Sequence, residues 1–497
     1  MIKLIKLIKL IKLIKLIKLI ELIELTKLIE LTKLIKFINK PINQPTDQST
    51  NNQLTKLLLN QSTNQPINQS TNQPINQPIR MQVYKFGGAS VRSAEGIRNI
   101  FRIVSGVKDN LFIVVSAMGK TTNALEIVLD YFMKADHKAS LEKLSEVEAF
   151  HNIIIEELFV TPELGKSAIE PSFTELKEII AQGVGDDYDR WYDRLVSYGE
   201  IISTKIVSAY LTESGINNTW LDLRDLLVTD SNHREANVRM EDSQIRLQQA
   251  ADFTTNRIYI GQGFIGANIK GEPTTLGREG SDYSAAVVGN LLNAERVTIW
   301  KDVPGILNAD PRLFENTVHI PELTYLDAVE LAYSGAQIIH PKTIKPLENK
   351  HIPLYVRPFG APDEQGSVIK ATTNKPIDVP VLIVRKDQVL ITVRPRDFSF
   401  VLEESLSKAF AVMNKHRLKV TMIQSSAVSI SVCVDNSRYL ADALDELGND
   451  FKVTYNDGLE LLTIRGITDE IVLKTTEGRY ILLTQRTRRS GRYLMKE

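Results

Sequence analysis

The pattern of apolar and polar positions changes abruptly at Met81, and only the part after it has the periods of helices and strands. Residues 1–36 mostly repeat Ile, Lys and Leu with a period of three, and residues 41–79 repeat Asn-Gln-Pro and Asn-Gln-Ser-Thr units. A period of three matches neither the 3.6 residues of a helical turn nor the alternation of a strand. We interpret residues 1–80 as a low-complexity repeat, disordered or not translated, with Met81 opening the folded protein. The alternative is a basic amphipathic segment on a membrane surface.

From Met81 onward, strand-like runs alternate with helical ones. Largely apolar runs at Val83–Phe86, Leu111–Val115 and Arg296–Trp300 predict strands buried on both faces of a sheet. Alternation of this kind predicts an α/β domain, with an open, mostly parallel sheet and helices on both faces. The other predicted elements are helical stretches at 97–107, 123–160, 190–212 and 282–292, and short strands near 219–221 and 257–261.

The pattern of predicted strands and helices changes near residues 375–376, and the predicted elements after this point are short. The segments after this point predict an α+β module, with strands at 379–384, 389–393, 419–423 and 428–434 and helices at about 401–415 and 437–448. The segment 459–497 is too short for a full module, so we expect it to form a partial second one by borrowing a flanking strand such as Val379–Val384. The predicted domains are therefore 81–373, 379–458 and 459–497.

Charge and cysteine content exclude several classes of function. The chain has 60 Lys and Arg against 60 Asp and Glu, but residues 1–80 carry +12 and −4, which leaves the remainder with a net charge of −8. An acidic body argues against nucleic acid as a partner, because binding it requires a basic surface. Lysine at every third position forbids a bilayer span in the repeat, so we expect no membrane partner. The single cysteine, Cys433, suits a reducing compartment such as the cytoplasm.

Glycine-rich motifs follow the first predicted strands, at the edge where open α/β sheets bind ligands. Lys85 precedes Gly87 and Gly88, whose bare amides could approach phosphate oxygens, although an ordinary turn with a surface lysine is the alternative. The segment 116–122 lacks the first glycine of a P-loop. The segment 261–266 matches the spacing of a dinucleotide motif, but the residues after it cannot open the required helix.

Charged groups follow the later strands. Ser281 and Asp282 stand at a predicted helix N-terminus, where Ser281 would cap the helix and free amides favour anions. Arg278 could grip a carboxylate with two hydrogen bonds, although it could also pair only with Asp282. Asp302 and Arg312 suit a metal-bound polyphosphate, with a turn carrying solvated charges as the alternative. No spacing of His or Cys indicates a metal held by protein ligands.

Taken in this order, the motifs closely resemble the aspartate kinases of the amino-acid kinase family. The matching segments are 85–91, 116–123, 199–200, 277–286, 301–312 and 333–341. The segments after 379 resemble the ACT regulatory domains that follow the kinase in those enzymes. The resemblance implies an amino-acid kinase fold over 81–373. It also implies transfer of the ATP γ-phosphoryl group to the β-carboxylate of L-aspartate, the entry to lysine, threonine and methionine synthesis.

The resemblance also implies roles for individual residues. Lys85 would hold the transferring phosphates, and Asp282 would orient that lysine. Arg278 would bind the aspartate α-carboxylate, while Glu200 would accept from its α-ammonium group, although a Glu inside an amphipathic helix is more often a surface residue. Hydrogen bonds to the substrate or to the phosphoryl group would come from Ser116, Thr122 and Ser281. The nucleotide, with Mg²⁺ on its phosphates, would be lined by Lys85, Gly87, Gly88, Lys301, Asp302, Leu307, Arg312 and Gln337.

Several positions depart from the family pattern. Gln337 stands where many relatives have a lysine and Leu307 where some have a tyrosine, so ATP binding is weaker or depends on other groups. Thr421 and Ala427 stand where lysine-sensitive relatives place acidic side chains. We therefore expect weak feedback by lysine, or control by another amino acid such as threonine.

The resemblance further implies a homodimer paired through strand edges of the ACT region. Two other functions remain open. A sister amino-acid kinase with another acceptor would share the fold, but residues 85–91 and the ACT region argue against it. The other is an amino-acid-sensing protein with an inactive kinase domain. Every charged group assigned to aspartate or to phosphoryl transfer is present in the sequence, which argues against this interpretation.

Overall fold

The structure, a computed structural model, describes residues 80–496 except 184, 186, 337–338, 374–376 and 397–402. The predictions for the repeat before Arg80, for Gln337 and for the change of pattern at 375–376 therefore lie outside the described residues. Within the described part of the chain, no helix combines the length and the apolar composition that crossing a bilayer requires.

The first domain is built around an eight-stranded sheet. The strands up to residue 370 are, in chain order, β1 (Met81–Phe86), β2 (Asn110–Val115), β3 (Thr219–Trp220), β4 (Val228–Thr229), β5 (Ile258–Gln262), β6 (Ile265–Asn268), β7 (Pro273–Thr275), β8 (Arg296–Lys301), β9 (Ile306–Leu307), β10 (His319–Ile320), β11 (Glu322–Thr324), β12 (Leu354–Pro358) and β13 (Ser367–Lys370). The large sheet has the order β11-β13-β12-β8-β1-β2-β5-β3, and only β12 and β13 pair antiparallel within it. The open, mostly parallel sheet predicted from the sequence is confirmed.

Helices cover both faces of this sheet. They are α1 (Ala94–Ser105), α2 (Thr121–Met133), α3 (His137–Leu158), α4 (Pro162–Ala181), α5 (Tyr188–Val196), α6 (Tyr198–Glu213), α7 (Leu223–Leu226), α8 (Met240–Ala250), α9 (Gly280–Leu291), α10 (Tyr325–Tyr333) and α11 (Pro341–Glu348). Successive β1 residues enter different cores: Tyr84 and Phe86 pack with α1 to α6, and Val83 packs with α7 to α11. The alternation of a strand thus explains why β1 is apolar on both faces.

Some predicted boundaries differ from the structure. The single stretch predicted at 123–160 is two helices, because the chain turns between α2 and α3 at Ala135, which has a φ of 58°. Helix α4 was not predicted. Its interior proline, Pro171, removes a backbone donor and weakens the sequence signal of a helix.

The region after residue 380 forms a second, six-stranded sheet, which we call the regulatory sheet. Its elements are β14 (Val381–Pro395), α12 (Glu403–Lys415), β15 (Val420–Ser425), β16 (Ile430–Asp435), α13 (Leu440–Asp450), β17 (Phe451–Arg465), α14 (Asp469–Thr476), β18 (Ile481–Arg486) and β19 (Ser490–Lys496). The strand order is β15-β16-β14-β17-β19-β18. An α+β arrangement follows the first domain, as the pattern of short strands and helices predicted.

Two strands predicted at 379–384 and 389–393 are one continuous strand, so that prediction is wrong. The polar residues between them form a bulge in β14, with Asp387 at a φ of 53°, instead of a turn. The first half of β14 pairs with Leu461–Arg465 of β17, which is the borrowed strand that we expected for the C-terminal segment. The proposed boundary between 458 and 459 falls inside β17, and the division into domains stays a prediction.

Candidate active site

A cleft of about 1000 Å³ opens at the carboxyl ends of β1, β2 and β8. The loops after β1 and β2 lie against each other, and the amide of Gly119 donates to the carbonyl of Gly88 at 3.0 Å. A Cβ atom on Gly88 would lie 2.7 Å from the carbonyl oxygen of Ala117, so no side chain fits there. Close approach of the two loops therefore requires glycine at position 88.

The floor of the cleft holds a buried group of charges. The Lys85 ammonium lies 2.6 Å from one Asp282 oxygen, and the Lys301 ammonium lies 3.3 Å from the other. Burial alone would raise the pKa of the Asp282 carboxyl, but the two ammonium groups overcome this and hold its pKa below the ordinary value. Asp282 is therefore ionised, and the floor carries two lysines against one carboxylate.

Glu200 is a buried residue of α6, so the interpretation of it as a surface residue is wrong. Its Oε1 accepts from the amide of Ala117 at 3.3 Å, while its Oε2 has no hydrogen-bond partner among the residues that the structure describes. Burial raises the pKa of Glu200 to about 8, against the hydrogen bond from Ala117 and the positive charge of Lys85. A buried acceptor without a partner is rare in proteins, and a cationic ligand would satisfy it.

Arg278 lies on the exposed loop between β7 and α9. Within the described ranges it forms no ion pair, and Asp282 pairs with the lysines, so the alternative pairing of Arg278 with Asp282 is not found. The prediction that Ser281 caps α9 is wrong. The helix begins at Gly280, and Glu279 occupies the cap position with a φ of 54° and no side-chain hydrogen bond to the helix.

Most of the residues predicted for the site line this one cleft. They are Lys85, Gly87, Gly88, Ser116, Thr122, Glu200, Arg278, Ser281, Asp282, Lys301 and Asp302. Arg312 instead lines a neighbouring cavity of about 750 Å³, where its guanidinium pairs with Asp310 at 2.6 Å. Leu307 lines neither cavity. The nucleotide roles of Leu307, Arg312 and the undescribed Gln337 stay predictions.

Sequence reasoning missed Arg234, which also lines the cleft. Its guanidinium lies 4.0 Å from the centre of the Tyr192 ring. The fully buried carboxylate of Asp193 accepts from the Arg234 amide at 3.1 Å, from His233 Nδ1 at 2.8 Å and from Thr275 Oγ1 at 2.5 Å. These bonds join segments that are distant in sequence, so no local motif could have indicated them.

Sequence reasoning also missed that the regulatory sheet forms part of the cleft wall. The lining residues from this sheet and its loops are Arg417, Leu418, Lys419, Asp435, Ser437, Arg438 and Tyr439. Arg417 lies 3.4 Å from the Asp189 carboxylate of α5, and the Arg438 guanidinium lies 5.1 Å from the centre of the Tyr188 ring. The site is therefore enclosed by both parts of the chain.

The arrangement suits a ligand with charges of both signs. The cations on the floor can bind phosphate oxygens, the unpaired Arg278 can bind a carboxylate, and the unsatisfied oxygen of Glu200 can accept from an ammonium group. Among the described residues, no group of three or more His, Cys, Asp and Glu side chains is arranged to hold a metal ion.

Comparison with known proteins agrees with this geometry. Residues 80–358 match the amino acid kinase family. The chain is 30% identical over 396 residues to lysine-sensitive aspartokinase 3 of Escherichia coli, and this match covers 77% of this chain and 86% of that relative. The solved structure of E. coli aspartokinase III with aspartate and ADP superimposes with a TM-score of 0.72 at 27% identity, over 84% of this chain and 96% of that one. The structure of the same enzyme with lysine and aspartate gives a TM-score of 0.68 at 27% identity, and the match covers 83% of this chain and 95% of that one.

Proposed function

The chain belongs to the amino acid kinase family as an aspartokinase, and we propose that its cleft transfers the ATP γ-phosphoryl group to the β-carboxylate of L-aspartate. The product is 4-phospho-L-aspartate, the first intermediate on the way to lysine, threonine and methionine. The observation that supports this assignment of the cleft is the buried group of Lys85, Asp282 and Lys301 at its floor.

The reaction needs charge and position more than it needs a strong base. A carboxylate oxygen of aspartate attacks the γ-phosphorus, and the bond from that phosphorus to the oxygen of the leaving ADP breaks. Both reactants are anions, and negative charge spreads over the γ-phosphoryl oxygens during transfer. Lys85 and Lys301, held by Asp282, supply positive charge that is already in place before the reaction begins.

Aspartate would be held by its two α substituents. Arg278 binds the α-carboxylate with its unpaired guanidinium, and Glu200 accepts from the α-ammonium group, which supplies the missing partner of Oε2. Hydrogen bonds from Ser116, Thr122 and Ser281 then leave the β-carboxylate facing the floor of the cleft.

The nucleotide would occupy the side of the cleft formed by the first glycine loop and the end of β8. Gly87 and Gly88 present amides there, and Lys301 and Asp302 follow the strand. Magnesium would be held by the β- and γ-phosphates and would neutralise part of their charge. The relative solved with aspartate and ADP supports a nucleotide and an amino acid as the pair of ligands.

The test uses the purified full chain with Mg-ATP, L-aspartate and hydroxylamine. Hydroxylamine traps an acyl phosphate, so formation of aspartyl hydroxamate reports the proposed product and not ATP loss in general. Hydroxamate formed with L-glutamate but not with L-aspartate would indicate a sister kinase. A folded chain that binds an amino acid but forms no hydroxamate would instead be the sensor protein.

We also propose that an amino acid other than lysine, such as threonine, controls the enzyme. The segment Val420–Val428 contains no carboxylate, and the Thr421 hydroxyl donates to the carbonyl of Cys433 at 3.0 Å. A cationic side chain would find no opposite charge in this segment. We expect millimolar lysine to leave activity nearly unchanged, as measured by a lysine titration of the hydroxamate assay. Inhibition by submillimolar lysine would contradict the proposal.

We also propose that the protein is cytoplasmic and forms a homodimer through the regulatory sheet. Strands β15 and β18 are its two edges, and they expose Ile423 and Ile481. Exposed apolar side chains on edge strands favour contact with a second copy, even though Gln485 of β18 donates to the carbonyl of Ile423 within the chain. Light scattering coupled to size-exclusion chromatography measures the mass, and a monomer at micromolar concentration would exclude a stable dimer.

A further inference from the structure

We propose that Lys419, which belongs to the regulatory sheet, is a substrate-binding residue that shares the α-carboxylate of aspartate with Arg278. The inference rests on the function proposed above and extends its binding site beyond the first domain. Lys419 lies immediately before β15, so the regulatory sheet would supply part of the affinity for aspartate.

The first observation is the position of the two side chains. Beside the cleft lie two flanking cavities of about 690 and 750 Å³. Among the described residues, only Arg278 and Lys419 line the cleft and both of these cavities. Both side chains therefore border the region where the three spaces adjoin, and we infer that a small anion bound there contacts both.

The second observation is that the Lys419 ammonium has only a long contact with a protein partner. Its side chain is 68% exposed, and its ion pair with Glu235 is 3.4 Å long. Charged hydrogen bonds are normally about 2.7–2.9 Å long, so this contact is loose. An incoming carboxylate can replace it at little cost.

The third observation is the local electrostatic field. Burial lowers the pKa of His340; the negative charge of Glu279 opposes this, and the positive charges of Lys419, Arg278 and Lys342 lower the pKa further. Lys419 and Arg278 thus both lie close enough to His340 for their charges to act on its imidazole. Glu235 and Glu279 line the cleft and one flanking cavity each, so a carboxylate ligand would compete with these two side chains for the cations.

The α-carboxylate of aspartate fits this position better than the phosphates of ATP do. The phosphates already have Lys85 and Lys301 at the floor of the cleft, whereas Lys419 lines the same three spaces as Arg278. A carboxylate has about four acceptor sites, so bidentate contact with Arg278 leaves room for a second cation.

One consequence is a coupling between regulation and aspartate affinity. A ligand that displaces β15 moves Lys419 and changes the affinity for aspartate, and aspartate must then change the affinity for that ligand by the same factor. Such an effector alters the KM for aspartate more than kcat.

The experiment compares Lys419→Met with Lys408→Met in the full chain. Lys408 is a matched control on α12, with a side chain that is 54% exposed and an ion pair of 3.2 Å with Glu404, and it lines none of the three spaces. We expect Lys419→Met to raise the KM for aspartate about three- to fivefold, the scale of one exposed ion pair, with kcat and the KM for ATP unchanged. The effect decreases at high salt. Lys408→Met should change none of these values, and Lys419→Arg should restore most of the affinity.

Two outcomes would overturn the inference. An unchanged KM for aspartate in Lys419→Met is one, and a rise in the KM for ATP alone is the other. Glu235→Gln separates direct binding from a structural role: if Lys419 acted only by holding Glu235, this variant would raise the KM for aspartate as well. We expect no rise, because the change frees the lysine. Hydroxamate formation by the unaltered chain tests the proposed function separately, so the two failures are distinguishable.

Discussion

The two walls of the cleft hold their charges in different ways. On the floor, Lys85 and Asp282 are 2.6 Å apart, and their side chains are 10% and 4% exposed. On the regulatory side, Arg417 lies 3.4 Å from Asp189, with side chains that are 38% and 29% exposed. Buried charges interact strongly and keep their geometry, whereas exposed charges are screened by water and salt. The floor is therefore suited to catalysis, and the regulatory side, which we call the rim, is suited to adjusting the affinity for a ligand.

The largest effect should come from the floor. Replacing Lys85 by Met removes a positive charge from the place where the phosphoryl group transfers, and we expect kcat to fall at least 100-fold, the scale of losing one preorganised donor. Hydroxamate formation under saturating substrates measures this. Lys177→Met is the matched control, since Lys177 pairs with Glu148 at 2.9 Å on the surface and should leave kcat unchanged. Near-normal turnover of the Lys85 variant would show that the floor does not act on the phosphoryl group.

A second effect depends on pH and comes from Glu200. The pKa of its carboxyl is about 8 in the folded chain, against an ordinary value of 4.5. At a pH between these two values the carboxyl is therefore ionised in the unfolded chain but still protonated in the folded chain. The contribution of Glu200 to stability is therefore present below pH 4.5 and is lost as the pH rises through 8. The side chain of the Glu200→Gln variant cannot ionise. We therefore expect the free energy of unfolding of this variant to exceed that of the parent chain by about 1–3 kcal/mol at pH 9 and by much less at pH 5.

Thermal unfolding at the two pH values measures that difference in stability. Glu170→Gln, at an exposed position of α4, is the control and should give a difference that does not vary with pH. Glu200→Gln should also bind aspartate more weakly, because it loses the charge that accepts from the ammonium group. A stability difference independent of pH would mean that Glu200 is ionised in the empty site at neutral pH.

The smallest effect should come from the rim. Arg417→Ala removes one partly exposed ion pair, and we expect it to cost less than about 1 kcal/mol and to lower Tm by no more than about 2 °C. The loss should vanish at high salt, which melting curves at two salt concentrations can test. A loss of several kcal/mol that persists in salt would show that the two walls do not differ.

The first domain was predictable because its signals are local. Buried strands such as β2 and β8 are apolar runs, and the loops that follow them carry the site residues at the sheet edge where ligands bind. Placing Lys85, Arg278 and Asp282 in one cleft needed only that topology and the order of the motifs. Their roles came from the resemblance, because a lysine or an arginine in a loop is most often a surface residue.

The rest could not be predicted because it depends on contacts between distant positions. The ion pair of Arg417 and Asp189 joins the loop before β15 to helix α5 of the first domain, and the buried Asp193 accepts from His233 and Thr275. None of these pairs has a characteristic spacing. The continuity of β14 has the same cause. The polar residues between Arg385 and Gln388 form a bulge within one strand, but the same residues would equally suit a turn between two strands, so the sequence alone does not distinguish the two.

The position of β1 in the sheet has a consequence for how the enzyme is made. Strand β1 pairs with β8 from Gln82 to Phe86, and Gln82 and Arg296 are in contact although 214 positions separate them. The ribosome must therefore synthesise most of the first domain before its first strand can acquire this neighbour. Closing so large a loop slows folding, since its entropy is lost before the contacts form. Lys85 and Lys301 come together only at that late stage, so the recovery of catalytic activity should report the end of folding and not its beginning.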